Sequence, residues 1–341
     1  METNYKQLYT KLVKNVPEKT RGIFERRFGV KTGKPETLES IGQSFSITRE
    51  RVRQIEEAGF NAIRKNNKDA LEAVFAEFVS YFAKNGGFKK EENALNDLGG
   101  KNQKPYVLFL LTLGGDKFSK VCEKKDYFYF WSVLPEAQAK VVQGLNALAV
   151  KMQEVRKPML KAQLVSLAKN AGIADNAVAS YLEVSKRIQE DKEGNLGLAE
   201  WPEIKPRGVK DKAFLVFKKH GKPLHFTEVA TLIDKLEYNL PNKKTYAQTV
   251  HNELIKDVRF VLVGRGTYAL AEWGYYPGTI KEVITKVLKD SKGPTHKDEI
   301  VKQVLAQRLV AKNTVLMNLN NKKDFTKDEN ERYFFKKVQL S

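Results

Sequence analysis

Thr37-Leu38-Glu39-Ser40-Ile41-Gly42-Gln43-Ser44-Phe45-Ser46-Ile47-Thr48-Arg49-Glu50-Arg51-Val52-Arg53-Gln54-Ile55-Glu56 is the stretch of this 341-residue sequence that decides its fold. Leu38, Ile41 and Phe45 recur at helical spacing, so a short helix is predicted from Thr37 with those three on its buried side. Ser46 and Ile47 then form a tight corner. Thr48 suits an N-cap because its hydroxyl can accept a first-turn N–H, and Glu50 lies where the helix dipole favours negative charge. The next helix is expected to bury Val52, Ile55, Ala62 and Ile63. Its other side would display Arg49, Glu50, Arg53 and Gln54, with Arg51 flanking. Two short helices of this kind form a helix-turn-helix. Arginine can fork onto guanine, glutamine onto adenine, and glutamate can accept from the cytosine amino group. The same pattern also fits a solvated amphipathic helix with internal Glu–Arg pairs. Gly59 costs up to about 1 kcal/mol relative to alanine inside such a helix, and marks either a bend or a close contact.

Working outward, the residues before this stretch read as helices. Leu8, Leu12 and Val13 are helically spaced, Pro17 interrupts, and Ile23, Phe24 and Phe28 resume the pattern before the turn at Thr32-Gly33-Lys34-Pro35. Arg27-Phe28-Gly29, Thr37 to Gly42 and Thr48 to Glu56 together closely resemble region 4 of housekeeping-type bacterial sigma factors, over roughly residues 8–66. That resemblance implies an upstream-promoter reader that also docks on RNA polymerase. It implies base contacts from Arg49, Glu50 and Gln54, with Arg51 and Arg53 nearer phosphates. Thr37 and Thr48, which open the two helices, join them in the candidate DNA-contact set. Nothing upstream resembles the other DNA-binding regions of a sigma factor, so a complete sigma factor is not expected.

The rest of the chain reads as an array: mainly α, tandem helix-turn-helix and winged-helix modules with small β-hairpin wings. The expected divisions are 1–68, 69–136, 137–206, 207–276 and 277–341. In the second, an aromatic-rich helix over 71–82 and another around 106–111 precede a hairpin ending in Tyr127-Phe128-Tyr129-Phe130-Trp131. No basic residue interleaves those rings, so they are expected to be core in a packing or partner-binding module. In the third, a helix is expected over 174–188, with the wing at 193–198 and a linker at 201–206. The fourth has helices over 213–219 and 227–236, then a third striped by Tyr246, Val250 and Leu254. Thr245, Gln248, Thr249, Asn252 and Lys256 would face away. Strands 259–263 and 267–270 flank Gly264-Arg265-Gly266. This unit resembles the HARE-HTH winged-helix family over residues 208–273, which implies a chromatin- or transcription-associated role. The fifth repeats the order, with a third helix over 313–320 and a wing over 325–337. Lys244, Thr249, Asn252, Arg265, Asn313, Asn318, Lys322 and Lys323 complete the candidate DNA-contact set, with Lys243 as a further surface charge.

Charge supports a polyanionic partner. The net charge is +19, distributed as +7, −1, +2, +5 and +6 over the five divisions in order. Both ends are basic and the middle is nearly neutral, unlike a uniform solvating coat. Cys122 is the sole cysteine, which excludes a disulfide framework and a cysteine-pair zinc site. The residues from Met1 to Lys14 hold no apolar run of signal-peptide length, and the longest apolar run, Tyr106 to Leu113, is too short to span a bilayer. A cytosolic, nucleoid-associated protein is expected, with no membrane partner. No nucleophile elbow or phosphate loop is present, and Gly264 and Gly266 sit between strands rather than opening a helix. His220, His225, His251 and His296 share no metal-ligand spacing. No catalytic residue, metal or cofactor is therefore expected. Double-stranded DNA is the expected partner, with RNA polymerase implied by resemblance. Two other readings stay open: a polymerase-binding sigma mimic or inhibitor acting by protein contact, and a DNA-targeting subunit of a restriction or defence complex.

Overall fold

The computed structural model describes residues 4–236, 244–291, 293–322 and 324–335, and within them sixteen α-helices and eleven short strands. The architecture is mainly helical, with antiparallel sheets of two or three strands. The chain divides into two compact units, 1–200 and 201–341.

The first unit opens with α1 (Tyr5–Leu12), α2 (Glu18–Arg27), α3 (Leu38–Ser44), α4 (Arg49–Asn66) and α5 (Lys68–Lys84). Then come β1 (Phe88–Lys90), α6 (Glu91–Gly99), α7 (Lys104–Leu113), β2 (Ser119–Val121) and β3 (Phe130–Ser132). The unit closes with α8 (Ala137–Val155), α9 (Lys161–Asn170), α10 (Asp175–Val184), β4 (Ile188–Glu190) and β5 (Leu196–Leu198). β1 and α6 have no counterpart in the sequence reading. β1 pairs with β3, giving the order β1-β3-β2.

Residues 1–68 do not close a core of their own. One apolar cluster runs from Tyr5 to Trp131. At its centre Phe60 of α4 stacks on Phe24 of α2, with centroids 4.9 Å apart, while Phe109 of α7 sets its edge against Phe24 and Phe28 at 5.3 Å from each. Few-helix assemblies of this size bury little apolar surface alone, and α7 supplies what is missing. The expected division at 68/69 therefore crosses a continuous core. The one at 136/137 does too. Phe88, Phe130, Val141 and Val184 share a second cluster, and Phe128 N–H donates to the Val184 carbonyl at 2.9 Å.

The buried face of α4 also departs from expectation. It consists of Val52, Gly59, Phe60 and Ile63, whereas Ile55 is half-buried and Ala62 is exposed. α10 stops at Val184, short of the expected 188. Ser185 turns extended, its hydroxyl accepts the N–H groups of Arg187 and Ile188, and Ile188 pairs with Leu198 in the small wing.

The second unit shows the same order of elements twice. α11 (Gly208–His220), β6 (Leu224–His225), α12 (Phe226–Asp234) and α13 (Ala247–Lys256) precede the hairpin β7 (Phe260–Gly264) and β8 (Thr267–Leu270). α14 (Ile280–Asp290), β9 (Thr295–His296), α15 (Lys297–Gln307) and α16 (Lys312–Leu319) precede β10 (Phe325–Lys327) and β11 (Arg332–Phe335). The sheets are ordered β6-β8-β7 and β10-β11-β9, and each module has its own core, around Phe217 and around Ile284.

Candidate nucleic-acid interface

The corner between α3 and α4 is held by caps and close backbone approach. Thr37 accepts the N–H of Ser40 at 3.1 Å and Thr48 that of Arg51 at 3.2 Å, each closing the first turn of its helix. Ser46 adopts a left-handed φ of 56°, and Gly42 lies so near the corner that a Cβ would stand 2.7 Å from the Ile47 carbonyl oxygen. Ile23, Ile41 and Val52 pack beneath. Gly59 marks a close contact: a Cβ there would meet Thr20 Cγ2 at 2.6 Å and the Phe24 ring at 2.8 Å. The loop before α3 is pinned by Arg26, whose guanidinium forks onto Glu36 at 2.9 and 2.6 Å and also reaches Ser44 Oγ at 2.9 Å. That fork holds the Glu36 carboxyl below the usual carboxylate range.

This frame presents Arg49, Glu50, Arg51, Arg53 and Gln54 to solvent, all five exposed in the first two turns of α4. Two internal pairs order them. Arg53 forks onto Glu50, with Nη2 2.8 Å and Nε 3.1 Å from Oε1, and this arginine holds the Glu50 carboxyl below its ordinary value. Arg51 Nη1 donates to Gln54 Oε1 at 3.2 Å, and these two line a groove of about 340 Å³ against Val16 and Pro17. Glu56 points inward, its side chain 12% exposed and 3.7 Å from Arg27. Burial pushes its carboxyl up, more than Arg27 draws it down.

In the second unit α13 exposes Gln248, Thr249, Asn252 and Lys256, with Gln248 Nε2 donating to Asn252 Oδ1 at 3.2 Å. Lys244 and Arg265 are exposed before the helix and at the hairpin turn. Two expectations are corrected. Tyr246 does not join the buried stripe of Val250 and Leu254; it is the N-cap residue and is 77% exposed. Thr245 is anchored to the end of α12, its hydroxyl 2.6 Å from Asp234. In α16 Asn313 is exposed, but Asn318 folds back onto its own helix, donating to Thr314 O at 2.8 Å. Asn320 accepts the Tyr333 hydroxyl at 3.0 Å, and Lys322 is exposed. Lys243 and Lys323 lie outside the described residues.

The rings at 128–131 are not without cations. Lys90 and Lys186 stand over Phe128 at 4.4 and 4.9 Å, and Lys120 over Tyr129 and Trp131 at 5.3 and 5.7 Å. The lysines come from three separate segments, so no local spacing signals them. Elsewhere, His225 and His296 cap helices, and no group of three or more His, Cys, Asp or Glu that could hold a metal ion occurs among the described residues. No helix among them is long and apolar enough to cross a membrane.

Known proteins share parts of this geometry. Residues 12–65 match sigma-70, region 4. Residues 207–273 match HARE-HTH, the HTH domain of ASXL and restriction endonuclease type. The RNA polymerase sigma factor SigA of Nostoc sp. is 36% identical over 61 residues, 18% of this chain and 16% of that protein. SigA1 of Synechococcus elongatus is 41% identical over 51 residues, 15% of this chain and 13% of that protein. SigA of Microcystis aeruginosa shows the same identity over 51 residues, covering 12% of its length. The chain thus spans about an eighth to a sixth of the length of these relatives. It carries two DNA-binding domains of helix-turn-helix type, one of them the sigma domain of region 4, and is a transcription-related protein.

Proposed function

We propose that this chain is a transcription factor or an accessory factor of bacterial RNA polymerase, cytoplasmic and associated with the nucleoid, that recognises promoter-like duplex DNA through α3 and α4. The observation that carries the reading is the capped, exposed start of α4, with Arg49, Glu50, Arg53 and Gln54 on a frame matched to sigma region 4. A forked guanidinium or amide at the N-terminal end of such a helix meets base edges in the major groove. The Glu50–Arg53 and Arg51–Gln54 pairs are exposed, so exchanging them for base and phosphate contacts costs little. The exposed side chains of α13 and α16, with Lys244, Arg265 and Lys322, supply backbone contacts that add affinity without choosing sequence. No catalytic role is assigned to any residue.

Selected-site sequencing of the full chain and of Arg49→Ala tests the reading. A sharp preferred site that loses information at one or two positions in the variant is expected. Identical preferences in both remove α4 as the reader. Polymerase contact is tested by affinity capture from native extract with and without nuclease. Polymerase retained after nuclease, together with no preferred DNA site, would favour a sigma mimic acting by protein contact.

A further inference from the structure

The joint between the two winged modules of the second unit holds a buried arginine with no acidic partner. Arg308 follows α15 and is 4% exposed. Its guanidinium donates from Nη2 to the carbonyls of Tyr276 at 2.6 Å and Gly278 at 2.7 Å, and from Nη1 to that of Gln307 at 3.1 Å. Among the described residues no carboxylate pairs with it, and burial lowers its pKa from the ordinary arginine value. A buried cation is tolerated only when its donors are met, so these carbonyls are held as firmly as the cation is.

Two of the acceptors lie in the connector between β8 and α14. Gln307 grips the same connector, its Oε1 accepting the N–H of Tyr276 at 2.9 Å. The next residue reaches the other module. Leu309 N–H donates to Val263 O at 2.7 Å, on the outer strand β7, and Gly264 is packed so close that a Cβ would stand 2.9 Å from the Leu309 carbonyl oxygen. The connector's neighbouring tyrosines divide between the two cores: Tyr275 packs against Val261, Val263 and Ala269, and Tyr276 against the cluster around Ile284. Three consecutive residues, Gln307, Arg308 and Leu309, thus bind both the connector and the sheet edge of the preceding module.

We propose that Arg308 is a positioning residue that locks the two winged modules into one reading body, with α13 and α16 at a fixed separation. What the body reads rests on the DNA-binding reading above; the lock rests on the hydrogen bonds alone. Two modules on a loose tether bind as linked but separate events and tolerate varied spacing. A rigid pair meets DNA already ordered and loses less freedom on binding.

The test uses the full chain with Cys122→Ser and spin labels at Thr249→Cys and Asn313→Cys, both exposed, one on α13 and one on α16. Pulsed dipolar spectroscopy should give one narrow distance distribution, at least twofold wider in Arg308→Ala. Leu309→Pro removes only the N–H that reaches Val263, and Arg308 already has the extended backbone a following proline requires. It should widen the distribution without the risk of emptying a buried site. A broad distribution before either substitution, or the original width after both, overturns the lock. On duplex DNA, unlabelled Arg308→Ala should bind about tenfold more weakly with an unchanged salt slope. Unchanged affinity in a variant whose distances have broadened overturns the reading role. If the lock behaves as expected but alanine at Lys244, Arg265 and Lys322 leaves DNA binding unaltered, it is the DNA reading of this unit that fails and not the lock.

Discussion

The reading helix α4 and its counterpart α13 solve one geometric problem with different chemistry. Each is a third-position helix whose buried stripe packs on its own module, Val52, Phe60 and Ile63 in α4 and Val250 and Leu254 in α13. The exposed sides differ. α4 offers arginines and a glutamate in forked pairs, whereas α13 offers Gln248, Thr249 and Asn252, with its cations outside the helix at Lys244 and Arg265. Forked, charge-assisted donors suit individual base edges, and scattered lysine and arginine suit phosphates. The supports differ as well. α13 belongs to a module with a closed core, while α4 depends on a ring from α7, far along the chain. Reading chemistry and structural independence need not travel together.

The largest test of that contrast is Phe109→Ala. Phe109 is fully buried, lies outside the stretch matched to sigma region 4, and contacts Tyr9, Phe24, Phe28 and Phe60. Removing such a ring typically costs about 3–5 kcal/mol. Denaturant unfolding should show the first unit weakened by that order, with α4 losing amide protection alongside α7. Retained protection in α4 would restore residues 1–68 as an independent module.

Charge gives the next contrast. Each phosphate contact contributes a slope of about −0.9 in log affinity against log salt. Alanine at Lys244, Lys256, Arg265 and Lys322 together should therefore flatten the slope by about 3–4 units in the full chain while leaving the preferred sequence unchanged. A slope equal to that of the parent would reassign these cations to solvation or to an acidic protein partner. At the reading helices, Gln54→Ala should cost about 1–3 kcal/mol on the preferred site and relax specificity at one position. Gln248→Ala should weaken all sites alike. Specificity lost from α13 instead would reverse the assignment of the two helices.

How far the sequence anticipates this structure can be judged residue by residue. Thr48, Gly42 and the apolar spacing around Ile41 and Val52 are local signals, and the corner they specify is the corner observed. At the far end of α4 residue type misleads, because phase decides burial there. From Val52, positions seven, eight and eleven along return to the same face, which gives Gly59, Phe60 and Ile63; Ala62, ten along, falls on the flank. The shared core is a matter of partnership between distant rings, for which neither Phe60 nor Phe109 carries a local signature. The lysines over Phe128 and Tyr129 are hidden from the sequence for the same reason. In α16 the identities of Asn318 and Asn320 are plain, but not that one bonds its own helix and the other Tyr333.

The smallest effect compares the acids buried beneath the two reading modules. Asp257 accepts a fork from Arg259, which lowers its carboxyl, whereas Glu56 has only a distant arginine and burial raises it. For Glu56 the folded-state pKa lies above the unfolded value of about 4.3. The folded chain therefore holds the proton more tightly. Its stabilising contribution is present below the unfolded pKa and is lost as the pH rises through the folded one. Glu56→Gln cannot ionise, so it should be more stable than the parent at pH 7, by on the order of 1 kcal/mol or less, since one pKa unit corresponds to about 1.4 kcal/mol. The gain should shrink with acidification and vanish below about pH 4. Paired denaturation curves at several pH values would read it. A variant less stable at pH 7 would mean that attraction to Arg27 outweighs burial, and that Glu56 holds the base of α4 as Asp257 holds the start of β7.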